Sequence, residues 1–260
     1  MDSRGLSRMA AVAANTFRET VRERVLYNLV FFAILMTLSG LLLGELSIRQ
    51  DEKIIKDIGL AAMDIFGTLI AIFIGVGLVN KEIDRRSLYP LLAKPLGRTE
   101  FFLGKFAGLG LTLLVNLAVM TAGVYTALLL ARRGWGGLLI LKGVYAIYLS
   151  LLLVVALALF FSTLTSSAMA AVGTVAMVVA GRFSDVVHNM REVLPAAPGW
   201  FVSAVYYLLP NFRTFDFKDR VAYGDPLPAG VLGLVTLYGV LYIGALLAGG
   251  LLAFRRRDLS

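Results

Sequence analysis

The stretch KEIDRRSLYPLLAKPLGRTEFFLGKF, residues 81–106, separates two long apolar runs of the chain. Those runs, residues 58–80 and 106–131, are each long enough for a membrane-spanning helix, which needs about 20 apolar residues. A segment that only joined two spans would not need such a dense pattern of charges and leucines. The sequence therefore predicts an all-α polytopic membrane protein in which residues 81–105 form a loop that faces a cytoplasmic partner.

The composition of the whole chain agrees with membrane insertion. Hydrophobic residues make up 58% and charged residues 16% of the 260 residues, and the mean hydropathy is +0.80. Soluble domains are typically about 45–50% apolar and about 25% charged. The spans leave no room for a soluble domain of ordinary size, so residues 1–260 are predicted to form one transmembrane domain. Basic residues beside the spans explain the net charge of +8, and no basic and aromatic pattern indicates nucleic-acid binding.

Six membrane-spanning helices are predicted, of which the fifth is short and rich in small residues. They cover residues 25–46, 58–80, 106–131, 137–161, 166–181 and 229–254. Ahead of the first span, residues 1–24 place apolar side chains at three- to four-residue spacing. This spacing predicts an amphipathic helix that lies in the membrane interface, and a solvated helical N-terminus is the alternative.

Lys and Arg residues beside the spans predict the orientation of the chain. The N-terminal tail, the 81–105 loop and the C-terminus together carry 14 of them, and the segments on the other side carry 11. Because cytoplasmic segments are richer in Lys and Arg, both termini are predicted to be cytoplasmic.

The connection between the fifth and sixth spans, residues 182–228, is then a long extracytoplasmic loop. Residues 199–209 within it are apolar but too few to span a bilayer, which predicts a re-entrant or interfacial segment before the last helix. An ordinary loop packed on the spans is the alternative. Trp200, Asn211 and Phe212 are the candidate residues of this loop for contact with a partner.

Small residues recur at four-residue spacing in several spans, and this arrangement lets helix backbones approach closely in lipid. They are Gly67, Ala71 and Gly75; Gly104 and Gly108; Gly244 with Ala248; and Ala245 with Gly249. Packing within the chain is the favoured use, and a face between two copies is the alternative.

Two polar side chains inside predicted spans are candidate functional residues. Acidic residues within a membrane are costly and often functional, so a proton or cation relay is one interpretation of Asp64. The favoured interpretation is a carboxylate solvated near the interface or paired with Lys53 or Lys56. Asn116 is expected to hydrogen-bond to another helix, and Asn28 is a similar candidate.

The sequence contains no recognisable catalytic, cofactor or metal motif. Cysteine is absent and there is one histidine, so neither a thiolate site nor a histidine cluster is expected. There is no phosphate-binding Gly-x-x-x-x-Gly-Lys-Ser/Thr, no nucleophile elbow and no His-Glu-x-x-His. The chain is therefore not predicted to be an enzyme, and energy for any active process must come from a partner or an ion gradient.

The 81–105 loop contains charged residues followed by leucines at helical spacing. A short amphipathic helix of this kind is suited to a groove on a soluble protein, although Pro90 requires it to be short or kinked. The candidate docking residues are Glu82, Asp84, Arg85, Arg86, Leu88, Leu91, Leu92, Pro95 and Arg98.

The same loop carries the residues of a known family pattern. They are Glu82, Arg86, Ser87, Leu88, Leu91, Leu92, Pro95, Arg98, Phe102, Gly104 and Lys105. On these residues and on its layout of spans, the chain resembles the membrane-spanning permeases of the type 2 ABC exporter class. Within that class it is most similar to permeases of copper-enzyme maturation systems, on this loop and on residues 56–60 and 208–217.

The resemblance implies a membrane complex with two membrane subunits, which are two copies of this chain or this chain and a relative. Two separate ATP-binding subunits, which hold the ATP and Mg, would dock on the loop around residues 84–93, with the N-terminal helix assisting. ATP binding would then shift the spans between inward and outward states.

Two other functions stay open at this point. The first is an ABC-coupled scaffold that acts mechanically on a periplasmic partner, since such a scaffold needs the same docking loop. The second is a secondary carrier that is driven by an ion gradient and uses Asp64. Internal repeats are typical of such carriers, and the sequence shows no clear repeat.

Overall fold

The computed structural model describes residues 3–22, 31–32, 51–84, 97–130, 137–183 and 209–256. Over these residues the regular structure is helical, with seven main α-helices, one 3-10 helix and no strand. The α-helices are α1 (Ser3–Arg22), α2 (Asp51–Asp84), α3 (Arg98–Leu130), α4 (Leu139–Leu164), α5 (Ser167–Arg182), α6 (Lys218–Tyr223) and α7 (Ala229–Arg256).

Four of these helices, α2, α3, α4 and α7, are long and apolar enough to cross a membrane. They confirm four of the predicted spans. The predicted fifth span is an apolar helix, α5, but its 16 residues extend over only about 24 Å. The predicted first span lies outside the described residues apart from Phe31 and Phe32, which are helical, so the count of six stays a prediction.

The start of α2 differs from the prediction. The helix begins at Asp51, ahead of the predicted residue 58, and continues without interruption to Asp84. Its first turns are charged, which is why the apolar pattern missed them. The side chains of Glu52 and Lys56, one turn apart, form an ion pair there that is compatible with a helix.

The helix α4 lies at the centre of the bundle. It is apolar on all sides, and a helix of this kind is stable when it is surrounded by other elements. Leu151, Leu153, Val154 and Leu157 are completely buried, and α4 contacts α2, α3, α5 and α7. The three helices α2, α4 and α7 run in one direction, and α3 and α5 run in the other.

The alternating directions bring three basic segments to one end of the bundle, which we call the basic end. The end of α7 meets the start of α3 there, with the rings of Phe102 and Phe254 stacked at 6.2 Å between centroids. The helix α1 packs on the same part of α3. The start of α3, which follows the predicted docking loop, therefore lies beside α1 and the C-terminal helix end.

The contact between α1 and α3 depends on two glycines. A Cβ atom at Gly104 would lie 2.8 Å from the side chain of Val12, and one at Gly108 would lie 2.6 Å from the carbonyl oxygen of Ala13. This confirms the pair as a close-packing site. The contacts advance together along both helices, so α1 runs in the same direction as α3, and its contact face includes the buried Thr16.

The other small-residue pairs divide into two groups. Gly67 and Gly75 of α2 face Leu151 and Ala158 of α4, so they also confirm packing within the chain. Gly244 of α7 has no neighbour within 4 Å in the part of the chain that the structure describes. Its pattern in the sequence is the same, but it does not mark a contact between the described helices.

Substitution of Gly108 by leucine is expected to lower the free energy of unfolding in detergent by about 1–3 kcal/mol, because the added side chain collides with α1. Gly77→Leu is the matched control, since a Cβ there has open space in the described structure. Both substitutions gain similar helix propensity, so their difference isolates the collision. Thermal or denaturant unfolding measures it, and equal stability of the two variants would contradict the packing.

Candidate functional site

Residues 209–223, which we call the cap segment, cover the end of the bundle opposite the basic end. The segment contains the 3-10 helix Phe212–Phe215 and the short helix α6. The side chain of Asn211 accepts a hydrogen bond from the backbone N–H of Arg213 at 3.0 Å and so caps the 3-10 helix. Gly224, at φ +79°, ends α6 in the left-handed conformation that favours glycine.

The cap segment contacts three helices by close apolar packing. Gly181, in the last turn of α5, has no side chain, and its place is taken by the carbonyl oxygen of Pro210 and the ring of Phe212. Gly143 of α4 receives the side chain of Val221, which is completely buried.

On α7, Tyr238 holds the start of the segment. Its hydroxyl accepts a hydrogen bond of 2.8 Å from the backbone N–H of Asn211, and its ring lies 5.9 Å from that of Phe215. The cap segment is thus fitted to the ends of α4, α5 and α7 at the same time.

Asp64 of α2 provides the fourth contact, through a cluster of charges beneath the cap segment. Arg182, the last residue of α5, donates two hydrogen bonds to its carboxylate, at 2.7 and 2.8 Å. Lys218 of the cap segment donates a third from Nζ to Oδ2, at 2.9 Å. Arg182 also donates to the hydroxyl of Thr68 at 3.0 Å. One carboxylate therefore joins α2, α5 and the cap segment.

A second carboxylate, that of Asp216, lies at the edge of the cluster. Its Oδ2 is 3.5 Å from Nζ of Lys218, and half of its side chain is exposed. Burial lowers the pKa of Lys218, but the carboxylates of Asp64 and Asp216 outweigh this and raise it above its usual value. Lys218 is therefore a cation at neutral pH, and the four side chains Asp64, Arg182, Lys218 and Asp216 sum to zero charge.

The cluster borders a small cavity of about 70 Å³, whose wall includes Ser150, Arg213 and Phe215. Asp64 is only 5% exposed, whereas the side chains of Arg182 and Lys218 are 32% and 19% exposed. The cations thus reach the carboxylate from the side of the cavity. An ionised carboxylate at this depth needs such partners, because burial of an unpaired charge is costly.

Comparison with known families assigns the chain to a class. Residues 10–259 match the family described as ABC-2 family transporter protein. The chain belongs to the ABC-2 transporter family. No curated protein gives a significant match to the sequence. The match covers nearly the whole chain and confirms the broad resemblance on which the sequence analysis rested: this ABC-2 protein is a membrane component, a permease subunit of an ABC transporter.

The structure corrects the partners that were predicted for Asp64. The favoured interpretation was a carboxylate solvated near the interface or paired with Lys53 or Lys56, but neither lysine is its partner. Lys56 forms its ion pair with Glu52, and the ammonium of Lys53 lies 4.9 Å from the ring centre of Tyr223. The residues that pair with Asp64 in this ABC-2 protein are 118 and 154 positions away in the sequence.

Arg182 did carry a signal that sequence reasoning missed. It is the one charged residue of α5, at the end of a helix that is otherwise apolar or small. A lone cation at such a position needs a carboxylate nearby, and Asp64, an acid within a predicted span, needs a cation. Lys218 carried no comparable signal, because its segment contains other charges.

Asn116 differs from its predicted role. Its side-chain amide donates to the carbonyl oxygen of Thr112, one turn earlier in the same helix, at 2.9 Å. Its carbonyl oxygen is buried and has no hydrogen-bond partner in the described structure. The predicted bond to another helix is thus not among the contacts of the described residues, and Asn28 lies outside them.

The candidate docking residues of this ABC-2 protein are described only in part. Glu82 and Asp84 are in the last turns of α2, and Arg98 is the first residue of α3. The others lie outside the described residues and are Arg85, Arg86, Leu88, Leu91, Leu92 and Pro95. Of the candidate partner-loop residues, Trp200 is outside, Asn211 caps the 3-10 helix, and Phe212 is buried against Gly181.

Replacement of Asp64 by asparagine is expected to lower the free energy of unfolding by about 3 kcal/mol, the lower end of the range for a broken buried ion pair. Arg182 loses its carboxylate, whereas Lys218 keeps Asp216 nearby. Asp57→Asn on the same helix is the control and is expected to change stability by less than about 1 kcal/mol, because Asp57 is exposed. Denaturant unfolding in detergent measures both, and equal effects would contradict a structural role of the cluster.

Proposed function

We propose that this chain is the permease subunit of an ATP-driven exporter, which converts ATP hydrolysis by separate subunits into movement of its spans. The observation that carries the proposal is the family match over residues 10–259. The arrangement of the basic end supports it, since α2 ends and α3 begins there, and α1 packs on the start of α3.

The proposed coupling runs along α2. In the proposal, two ATP-binding subunits hold the ATP and Mg, dock on the loop around residues 84–93 and move it when ATP is bound. The loop continues directly from α2, which is one unbroken helix from Asp51 to Asp84. A displacement of the loop would therefore be transmitted along α2 to Asp64, and hence to the cap segment.

The proposed orientation places the basic end in the cytoplasm of a bacterial cell and the cap segment outside, in the inner membrane. The grouping of α1, the docking loop and the C-terminal helix end supports this assignment, because these segments carry 14 of the 25 Lys and Arg residues. The cap segment then follows the proposed re-entrant or interfacial segment, residues 199–209, of which only residue 209 is described. An association with copper-enzyme maturation rests on the sequence resemblance alone.

A second copy of the chain is the proposed partner within the membrane. Within its most apolar stretch, α7 is only 17% buried, compared with 67% for α4, so most of its surface faces away from the described helices. This outer face includes Gly244 and Leu241, a small and a large residue three positions apart in the sequence, and in the proposal it contacts the symmetric partner. A heterodimer with a relative would use the same face.

The charge cluster disfavours a secondary carrier and is compatible with a mechanical scaffold. A secondary carrier would need Asp64 to bind and release an ion, but its carboxylate accepts three hydrogen bonds from two cations. This arrangement favours a structural role over a relay. A mechanical scaffold that acts on a periplasmic partner is compatible with the same docking loop and would use the exposed side of the cap segment.

Docking of the ATP-binding subunit is expected to be lost in Arg86→Glu and in Leu91→Asp, since the first reverses a charge and the second removes an apolar contact of the loop. Arg220→Glu, a matched charge reversal at the other end of the bundle, is expected to retain docking. The tagged chain is purified from its own membranes in mild detergent, bound proteins are identified by mass spectrometry, and vanadate-sensitive ATP hydrolysis is measured. Normal recovery of the ATP-binding subunit with Arg86→Glu would refute the role of the docking loop. Failure to recover any ATP-binding subunit with the unaltered chain would refute the proposal of an ATP-driven permease.

The orientation is tested by cysteines introduced into this cysteine-free chain. Tyr223→Cys and Leu6→Cys replace residues that are 68% and 50% exposed at opposite ends of the bundle. An impermeant maleimide added to intact cells (with the outer membrane made permeable) is expected to label the first alone, and to label the second after lysis. The reverse pattern would place the N-terminus outside.

A further inference from the structure

The four charges under the cap segment are divided between two bodies. Asp64 and Arg182 belong to the long helix α2 and to α5, whereas Lys218 and Asp216 both belong to the cap segment. Lys218 lies between the two carboxylates, 2.9 Å from Asp64 and 3.5 Å from Asp216. The cluster is therefore held together across the boundary by one shared lysine.

Separation of the two bodies would leave no charge without a partner. Arg182 and Asp64 would keep their two parallel hydrogen bonds, which form a complete carboxylate–guanidinium pair, with Thr68 as a further acceptor. Lys218 would keep Asp216, two residues away on its own segment. The cluster of four divides into two neutral pairs, so the main electrostatic penalty of opening a buried ion pair is avoided.

The backbone also has a suitable point of movement. Gly224 follows the cap segment at φ +79°, is exposed, and has open space around it in the described structure. Just beyond it, Leu227 is buried and its carbonyl oxygen accepts a hydrogen bond of 3.0 Å from Nζ of Lys142 on α4. The backbone N–H of Asp225 donates to the carbonyl oxygen of Arg220 at 2.8 Å, so the turn at Gly224 moves together with α6. The chain is fixed to the bundle at Leu227, and opening of the cap segment bends it between these two points and breaks the hydrogen bond to Tyr238.

We infer that the cap segment is a releasable closure of this end of the bundle, which Lys218 holds shut on Asp64 and which opens as an electrically neutral unit. In the open state the cavity beside Asp64, which the exposed residues Arg213 and Asp216 already border, becomes wider, and Val221 leaves its position against Gly143. The inference that the cap segment can be released rests on the distribution of the four charges. The inference that this release is a step of a transport cycle rests on the proposed function.

Release is measured by the reaction of a buried cysteine with N-ethylmaleimide, in the full-length chain in lipid nanodiscs. Val221→Cys replaces a completely buried residue of the cap segment and reacts only when the segment opens. Asp64→Asn in this background removes the carboxylate that holds Lys218 and is expected to increase the labelling rate about tenfold or more. Asp57→Asn, which neutralises an exposed carboxylate of the same helix, is expected to leave the rate unchanged.

A second cysteine distinguishes opening of the cap segment from general loosening. Ser162→Cys is a close steric match at a completely buried position near the other end of α4. Asp64→Asn is expected to leave labelling at Ser162→Cys unchanged. An equal increase at both positions, or no increase at Val221→Cys, would overturn the inference. Lys218→Met is the milder variant if Asp64→Asn does not fold, and it is expected to change labelling in the same direction.

The coupling to transport is tested separately, with the ATP-binding subunit present. ATP with vanadate is expected to change the labelling rate of Val221→Cys in the otherwise unaltered complex. In Gly143→Cys/Val221→Cys the two Cβ atoms are within reach of a disulfide, which is expected to inhibit ATP hydrolysis until a reductant is added. If Asp64→Asn opens the cap segment but neither ATP nor the disulfide has an effect, the closure stands and its role in the proposed function fails.

Discussion

The structure depends on the carboxylate of Asp64, which is almost completely buried in the bundle and holds two cations from distant parts of the chain. An acid at this depth is stable as an ion only with a cationic partner, so the carboxylate fixes α5, and the cap segment in its closed position, relative to α2. The requirement is mutual, because Arg182 ends an apolar helix and also needs a carboxylate. One buried or half-buried charge in each of α2, α5 and the cap segment thereby specifies how these three elements are arranged.

Close backbone contacts at glycines fix the positions of further elements at both ends of the bundle. Lipid tails are as apolar as leucine, so burial of apolar side chains gives little reason for one helix to prefer another helix over lipid. Glycine changes this balance by allowing contacts that no side chain could make. Gly108 allows the backbone of α1 to contact α3, and Gly181 allows Pro210 and Phe212 to contact α5. Both ends of the bundle therefore use steric fit in place of the hydrophobic effect.

The sequence predicted those features that depend on residues near one another in the chain. Apolar runs identified α2, α3, α4 and α7 as candidate spans, and the four-residue spacing of Gly104 and Gly108 identified a real packing face. The same spacing at Gly244 marks no contact in the described structure, since spacing shows which residues share a face but not what lies opposite.

Features that depend on tertiary arrangement were not predictable in this way. Lys53 and Lys56 were natural partners for Asp64 because they are close in sequence, but they lie on the same helix and pair elsewhere. Arg182 and Lys218 reach Asp64 only because α5 runs antiparallel to α2 and the cap segment folds over both. The resemblance to the family came from the docking loop, whose central residues lie outside the described part of the chain.

The short length of α5 has a consequence for the surrounding lipid. A helix of about 24 Å is shorter than the hydrocarbon layer of a typical bilayer, which is about 30 Å thick. If α5 begins at one surface of that layer, the bilayer beside Arg182 must become thinner or admit water to meet the charged cluster, at a cost that grows with each ångström of mismatch. The acyl-chain length of the lipids sets the thickness of the bilayer and therefore the size of this mismatch. Bilayers of different thickness would thus favour different positions of the charged end of α5.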